Sequence, residues 1–327
     1  MNDFRSLTSL VALCAGLAVA PIAMAQTRAQ AAPSQEEQVD TVDEVVVVAR
    51  RAGAPMWEIS DGESTVILVG AIGGVPRDFE WRPEALEAAT ARSQRILYPQ
   101  EGRASLSDVL RLIWRIRTIA RLPESKTTAD YLSPEMQARL EALKAGDRNP
   151  NWRTQSFVGL SFDLLEQAGY ERGRSRGAPD AVRRAARTAH IAGEPVGFVR
   201  GDELVDNLIT QPPQTYLPCL EASMRAAEAG PAGAAARLEA WRSLKVPEVL
   251  ATPLDQALNM CWPSGDPEIA PVLRGQWADA TKLALTRPGV TMGVAPLRIL
   301  AESGGVLDQL EAQGLEIHGP IWREDQR

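Results

Sequence analysis

The sequence is poor in the side chains that most often bind metals or act as bases. It holds two histidines, His190 and His318, and three cysteines among 327 residues. Neither histidine lies at a spacing from the other, or from a cysteine, that metal sites use. A His/Cys metal centre is therefore not supported, and we interpret both histidines as capping or surface residues.

The motifs of serine nucleophiles and nucleotide sites are also missing. No serine lies in a GxSxG elbow, and GLSFD at residues 159–163 resembles one only superficially. The segment GAIGG at residues 70–74 does not match GxGxxG and has no Lys-Ser/Thr pair after it. It predicts a tight loop at the end of a strand, which is where α/β proteins place their clefts.

Positive charge is in deficit. There are 35 basic against 42 acidic residues, a net charge of −7, which argues against a nucleic-acid partner. One segment, SLSDVLRLIWRIRTIAR, places Leu106, Val109, Ile113 and Ile116 on one helical face, with arginines on another. We predict that this apolar face packs on the core, and binding to a membrane surface is the alternative.

Long apolar runs are absent after the N-terminus, so the mature chain is expected to have no transmembrane anchor. Residues 1–25 predict a cleavable signal peptide, with Arg5, an apolar run and the pattern AMA before Gln26. Lipidation at Cys14 is disfavoured because Leu13 precedes it instead of a small residue. We expect a periplasmic or secreted protein.

Two further segments precede the expected domain. Residues 26–41 have almost no large apolar side chain and predict a disordered spacer. Residues 42–51, VDEVVVVARR, predict a short strand, which is either an edge strand of the fold or a docking segment that joins a partner's sheet. The latter interpretation rests on a resemblance to the valine-rich N-terminal segment of TonB-dependent receptors.

Removal of the signal peptide leaves two cysteines, Cys219 and Cys261. An even pair in an exported chain predicts a disulfide, since the periplasm and the extracellular space are oxidising. Two separate buried thiols are the alternative, because sequence does not supply the Cα separation.

Strand-like and helix-like segments are interspersed along residues 52–322, which we predict to form a single domain. A hairpin is predicted around Gly62, whose backbone freedom suits a tight turn. The predicted strands are 56–60, 65–70, 95–98, 195–199, 290–294 and 315–317. The predicted helices lie within 83–93, 106–121, 133–145, 155–169, 180–191, 201–262, 267–285 and 305–313. The fold class is α/β, a small central mixed sheet from distant segments surrounded by many helices, with a large helical middle section.

This order of segments resembles the TraB/GumN family, also called TraB/PrgY and related to the Tiki proteases. WEISDGESTVILVGAIGGVP at residues 57–76 is similar to the family's first signature, two strands that end in a GxxH motif before a proline. GEPVGFVRGDEL at residues 193–204 resembles its central Gly-x-x-x-x-Gly-Leu-Glu stretch. Residues 290–317 resemble its second GxxH motif and the helix that follows. The resemblance covers roughly residues 55 to 320.

The resemblance implies a site where two GxxH motifs and a glutamate bind a divalent metal for peptide hydrolysis. In this sequence Gly70 and Gly293 keep the motif glycines, but Gly73 and Pro296 stand at the histidine positions. Neither residue offers a side-chain ligand, and the loss of one ligand usually abolishes metal-dependent catalysis.

The glutamate position falls near Tyr98 or Pro99, with Glu101 displaced. We therefore hypothesise a non-catalytic binding or regulatory protein with no cofactor, whose partner is an unknown protein or peptide. The alternative is a divergent metal-dependent hydrolase that uses carboxylates, for which Glu101, Asp202 and Glu203 are the candidates.

Overall fold

The fold begins with a hairpin whose turn lies at a glycine. A computed structural model describes residues 53–103, 105–172 and 177–326. The signal peptide, spacer and valine-rich segment predicted in residues 1–51 lie outside these ranges. Strand β1 (Met56–Asp61) pairs antiparallel with β2 (Ser64–Ala71), with Asp61 opposite Ser64. Gly62 has a φ of 58°, which favours glycine, so the predicted hairpin is confirmed.

A six-stranded mixed sheet carries the fold, in the order β5-β3-β7-β2-β1-β8. Strands β5, β3, β7 and β2 are parallel neighbours, and β1 runs antiparallel to both β2 and β8. The remaining strands are β3 (Arg95–Tyr98), β4 (Glu101–Arg103), β5 (Gly193–Pro195), β6 (Phe198–Arg200), β7 (Gly289–Pro296) and β8 (Ile317–His318). Most side chains of β2 and β7 are buried, which accounts for their nearly continuous apolar sequences.

The prediction of one continuous strand at residues 195–199 is wrong. This segment contributes to two strands, β5 in the main sheet and β6, which pairs with β4 in a separate two-stranded sheet. The two strands separate at Gly197, where an added Cβ would lie 2.4 Å from Gln276. Close packing of Gln276 against this backbone ends one strand before the next begins.

Helices lie between the strands along the chain and make up most of its long middle section. Together with the mixed sheet they confirm the α/β class. The described helices are α1 (Glu84–Arg92), α2 (Leu106–Ala120), α3 (Pro134–Leu143), α4 (Phe157–Gln167), α5 (Ala178–Thr188), α6 (Gly201–Thr210), α7 (Leu217–Arg242), α8 (Val246–Ala251), α9 (Pro253–Met260), α10 (Ile269–Leu285), α11 (Leu297–Ala301) and α12 (Val306–Glu311). Within α7 the backbone leaves helical geometry at Gly230, just before Pro231.

The prediction that the apolar face of α2 packs on the core is wrong for two of its residues. Leu106 is 85% exposed and Ile113 is 61% exposed, and Trp114 is exposed beside them. Helix α2 instead contacts α6, and Arg111 pairs with Asp206 at 3.0 Å. Leu106 and Ile113 are therefore left in solvent. Binding of α2 to a membrane surface stays a prediction.

The cysteine pair joins two helical segments of the middle section. Cys219 lies in the first turn of α7 and Cys261 directly follows α9. Their sulfur atoms are 2.07 Å apart, at disulfide bonding distance, and their Cα atoms are 4.6 Å apart. The predicted disulfide is thus present. No helix in the described part of the chain is long and apolar enough to cross a bilayer.

Candidate functional site

The parallel strands of the sheet bring distant loops to one edge. Because β2, β7 and β3 run in the same direction, the segments that follow them leave from the same side of the sheet. Gly73 and Gln100 follow β2 and β3, Pro296 is the last residue of β7, and all three line one cleft of about 350 Å³. The cleft therefore lies where the resemblance places the family's metal site.

Side chains pack closely against the motif glycine Gly70 and against Gly73. A Cβ on Gly70 would lie 2.4 Å from Leu297 Cδ1, and a Cβ on Gly73 would lie 2.9 Å from the hydroxyl of Tyr170. Gly293 is less tightly enclosed, with Leu68 Cδ2 at 3.0 Å. Tyr170 thus covers the position from which a side chain at residue 73 would project.

A buried ion cluster lies behind this loop. Arg237 of α7 donates from Nε and Nη2 to Oδ1 of Asp255 in α9, at 3.0 and 2.8 Å. Arg298 of α11 donates from Nε and Nη2 to Oδ2 of the same carboxylate, at 3.0 and 2.6 Å. The side chains of Arg237 and Asp255 are 3% and 7% exposed, and that of Arg298 is 19% exposed. The single negative charge of Asp255 therefore compensates one of the two positive charges of Arg237 and Arg298.

The cluster also fixes the loop that carries the first motif. Arg237 Nη1 donates to the carbonyl oxygen of Gly73 at 2.9 Å. One turn later in α7, Trp241 Nε1 donates to the carbonyl oxygen of Gly70, also at 2.9 Å. Backbone carbonyls at the end of β2 are thus satisfied by two side chains of one helix, which tie this loop to α7.

A second ion pair borders the cleft. Arg274 Nε donates to Glu302 Oε1 at 2.6 Å, and the backbone N–H of Glu302 donates to the carbonyl oxygen of Arg298 at 2.9 Å. Arg274 and Arg298, which both line the cleft, therefore meet the same turn at the end of α11. Gln100 extends across from the β3 side, where its Nε2 donates to the carbonyl oxygen of Leu273 at 2.8 Å.

The three carboxylate candidates lie elsewhere. Glu101 is exposed in β4, outside the lining of the cleft. Asp202 and Glu203 lie in the first turn of α6, where Arg200 Nε approaches them at 3.0 and 3.5 Å. The hydrogen bond from Arg200 holds the pKa of Asp202 below its usual range. The sheet of β4 and β6 brings these residues into one neighbourhood, but not into the cleft.

The histidines are equally remote from the cleft. His190 is exposed just after α5, with a φ of 55°. His318 lies in β8, opposite Glu58 on β1, and its Nε2 is 3.4 Å from a Glu316 oxygen. Neither lines the cleft.

The residues present do not fit the divalent metal that the resemblance implies. The one carboxylate in the cleft lining, Asp255, accepts hydrogen bonds from guanidiniums on both of its oxygens. Positive side chains next to a metal site repel the cation and make its binding less favourable. Across the described ranges, no group of three or more His, Cys, Asp or Glu side chains could hold a metal ion.

Sequence reasoning did not single out the ion cluster. Arg237 and Asp255 belong to helices far from either motif in sequence, and only the tertiary fold brings them to Gly73. Arg298 gave the one available signal, because it lies two residues after the second degenerate position, Pro296, and so belongs to the same edge of the sheet.

Comparison with known proteins gives one match. A sequence model described as the TraB/PrgY/gumN family matches residues 55–318, which is most of the chain. No curated protein and no solved structure matches it significantly.

Proposed function

The chain belongs to the TraB/PrgY/gumN family, and we propose that it is an exported, non-catalytic member that binds a ligand or partner in the cleft at the sheet edge. Gly73 and Pro296 stand at the positions where the resemblance places metal-binding histidines. The cleft itself persists, with a volume of about 350 Å³ within the usual size range of ligand sites.

One observation carries this proposal. The Arg237–Asp255–Arg298 cluster places two guanidiniums and one shared carboxylate beside the degenerate positions. A fixed positive charge stands where a hydrolytic member would place its cation, so water activation by a metal has no support there. The guanidinium groups are held in place by their ion pairs, so they can bind an anionic ligand with little further ordering.

Export to the periplasm or secretion is part of the same proposal. The signal-peptide pattern of residues 1–25 supports it. The bonded pair Cys219 and Cys261 supports it as well, because structural disulfides persist in oxidising compartments.

The test is calorimetric titration of the purified protein, prepared without chelators, with manganese, zinc, cobalt and calcium. We expect no stoichiometric binding and no cleavage of an unstructured protein substrate in the presence of any of these metals. Tight binding at one site would contradict the proposal and favour a divergent hydrolase. The variants Glu101→Gln, Asp202→Asn and Glu203→Gln would then show whether these carboxylates are the ligands.

A further inference from the structure

Arginines outnumber carboxylates in the lining of the cleft. Arg237, Arg274 and Arg298 line it, against the carboxylates of Asp255 in the lining and Glu302 at its border. Buried Asp266 lies between the lining residues Pro263 and Ala270 and adds a further negative group nearby, so the cleft is distinguished by its guanidinium donors and not by a net charge. Guanidinium donors beside a concave surface attract an anion, and they do so more strongly where access to water is reduced.

Donor groups on two of these arginines remain available. Arg298 uses Nε and Nη2 for Asp255 and for the carbonyl oxygen of Leu250, and Nη1 has no hydrogen-bond partner among the described residues. Arg274 uses Nε for Glu302, and its two terminal nitrogens have no partner within the same ranges. Both side chains are held in place by the ion pairs they already make, so binding an anion costs little further side-chain ordering.

The rest of the cleft is largely apolar. Phe162, Leu258, Leu273 and Ile299 contribute to its lining, together with Trp262. A small inorganic anion would leave these side chains in contact with water. A ligand with both an anionic group and an apolar body would use both parts of the lining.

We propose that the cleft binds a carboxylate attached to an apolar group, with the carboxylate on Arg274 and Arg298 and the apolar part on the surrounding hydrophobic side chains. The two free terminal nitrogens of Arg274 can donate to a carboxylate in parallel, and Nη1 of Arg298 offers one further donor. The apolar lining matches a carboxylate with an apolar body better than inorganic phosphate. This inference rests on the proposed binding role of the cleft.

Two sources could supply such a ligand, a free organic acid or the C-terminal carboxylate of a peptide. Four probes distinguish them by isothermal titration: N-acetyl-leucine, a pentapeptide that ends in leucine with a free carboxylate, and the C-terminal amide of each. Inorganic phosphate serves as the purely anionic probe. We expect the acids to bind and their amides to bind at least about tenfold more weakly, the usual effect of losing a charge-assisted hydrogen bond.

Variants test the two arginines separately. Arg274→Gln removes a partly exposed donor, and Arg298→Lys keeps a positive charge next to Asp255 while losing the planar fork. Each is expected to weaken binding of the acid about tenfold and leave binding of the amide unchanged. Arg225→Gln is the matched control, since Arg225 pairs with Glu221 on the surface of α7, away from the cleft. Thermal unfolding of each variant verifies that it is folded.

The outcomes separate this inference from the function on which it rests. Equal affinity for acid and amide, absence of binding by any acid at millimolar concentration, or unchanged binding by both arginine variants overturns the carboxylate site. Stronger binding of phosphate than of the acids overturns it too. Stoichiometric metal binding with peptide cleavage, measured on the same preparation, overturns the non-catalytic function instead.

Discussion

Arg237 and Asp255 form a buried ion pair in which two guanidinium nitrogens contact a single carboxylate oxygen, at 3.0 and 2.8 Å. The other oxygen accepts hydrogen bonds from Arg298, which lies in α11 directly after β7. Asp255 thereby links α7, α9 and α11. It also supports the first motif loop, since Arg237 is the donor to Gly73. One carboxylate thus connects three helices to the edge of the sheet where the cleft lies.

Substitution of this carboxylate should be costly. In Asp255→Asn two guanidiniums lose their common counter-charge, one of them in a side chain only 3% exposed. Breaking a buried pair from one side costs roughly 3–5 kcal/mol of unfolding free energy. Urea unfolding followed by far-UV circular dichroism measures the change.

The matched control for Asp255→Asn is Glu228→Gln. Glu228 pairs with Arg139 at 3.0 Å, but both side chains are substantially exposed. Exposed pairs contribute about 0–1 kcal/mol, so this variant should unfold near the wild-type midpoint. Equal losses in the two variants would show that the cluster around Asp255 is no more important than a surface pair.

The disulfide should contribute to stability through the unfolded state. Cys219 and Cys261 are separated by 42 residues, and closing a loop of this length lowers the entropy of the unfolded chain by an amount worth about 4 kcal/mol at 25 °C. The variant Cys219→Ala/Cys261→Ala should lose roughly 2–4 kcal/mol of unfolding free energy in urea titrations. Dithiothreitol should lower the wild-type midpoint and leave that of the variant unchanged. A wild-type midpoint insensitive to the reductant would mean that the bridge stabilises nothing.

The raised pKa of Tyr216 predicts that the protein loses stability at high pH. Burial, with a smaller contribution from Asp266, raises the pKa of Tyr216 to about 12, above the ordinary value of about 10. Its hydroxyl has no hydrogen-bond partner among the described residues. Between pH 10 and 12 the unfolded chain releases this proton while the folded chain keeps it. The folded state therefore loses stability as pH rises through this window, and below pH 10 the contribution is fully present.

Tyr216→Phe isolates this effect from the other groups that titrate at high pH. The variant should be as stable as the wild type at neutral pH, or more stable by up to about 1 kcal/mol, because it removes an unpartnered buried hydroxyl. Its unfolding free energy should fall less steeply between pH 10 and 12. Parallel curves for the two proteins across this window would mean that Tyr216 has the same pKa folded and unfolded.

Local sequence patterns predicted most of the strands because their causes are local. The hairpin depends on Gly62, and β2 and β7 are apolar runs bounded by turn-forming residues. The exposed face of α2 was mispredicted for the opposite reason. Helical periodicity shows that Leu106 and Ile113 share a face, but it does not show whether any other element covers that face.

Of the cleft, only its place at one edge of the sheet could be predicted from the sequence. Motif spacing placed Gly73 and Pro296 at ends of strands, and parallel pairing then brought them to one edge. The charges that define the cleft come from Arg237 and Asp255, whose meeting depends on how α7 packs against α9. No pattern in either helix predicts that these two side chains meet.

Restoring the histidines should not restore a metal site. Gly73→His must displace Tyr170, whose hydroxyl lies 2.9 Å from the added Cβ, while Pro296→His is at an exposed position that accepts a side chain readily. Both new imidazoles would face a cleft that holds two guanidiniums next to Asp255. We expect the double variant to bind zinc and manganese no better than the wild type in calorimetric titrations.

Removal of one guanidinium should change that result. Adding Arg298→Ala to the double variant frees Oδ2 of Asp255, so two imidazoles and a carboxylate become available as ligands near the same edge. Measurable zinc binding by the triple variant, and not by the double variant, is the expected outcome. If the double variant already bound zinc stoichiometrically, the missing histidines alone would account for the lost metal site, and the arginine cluster would not be what excludes the cation.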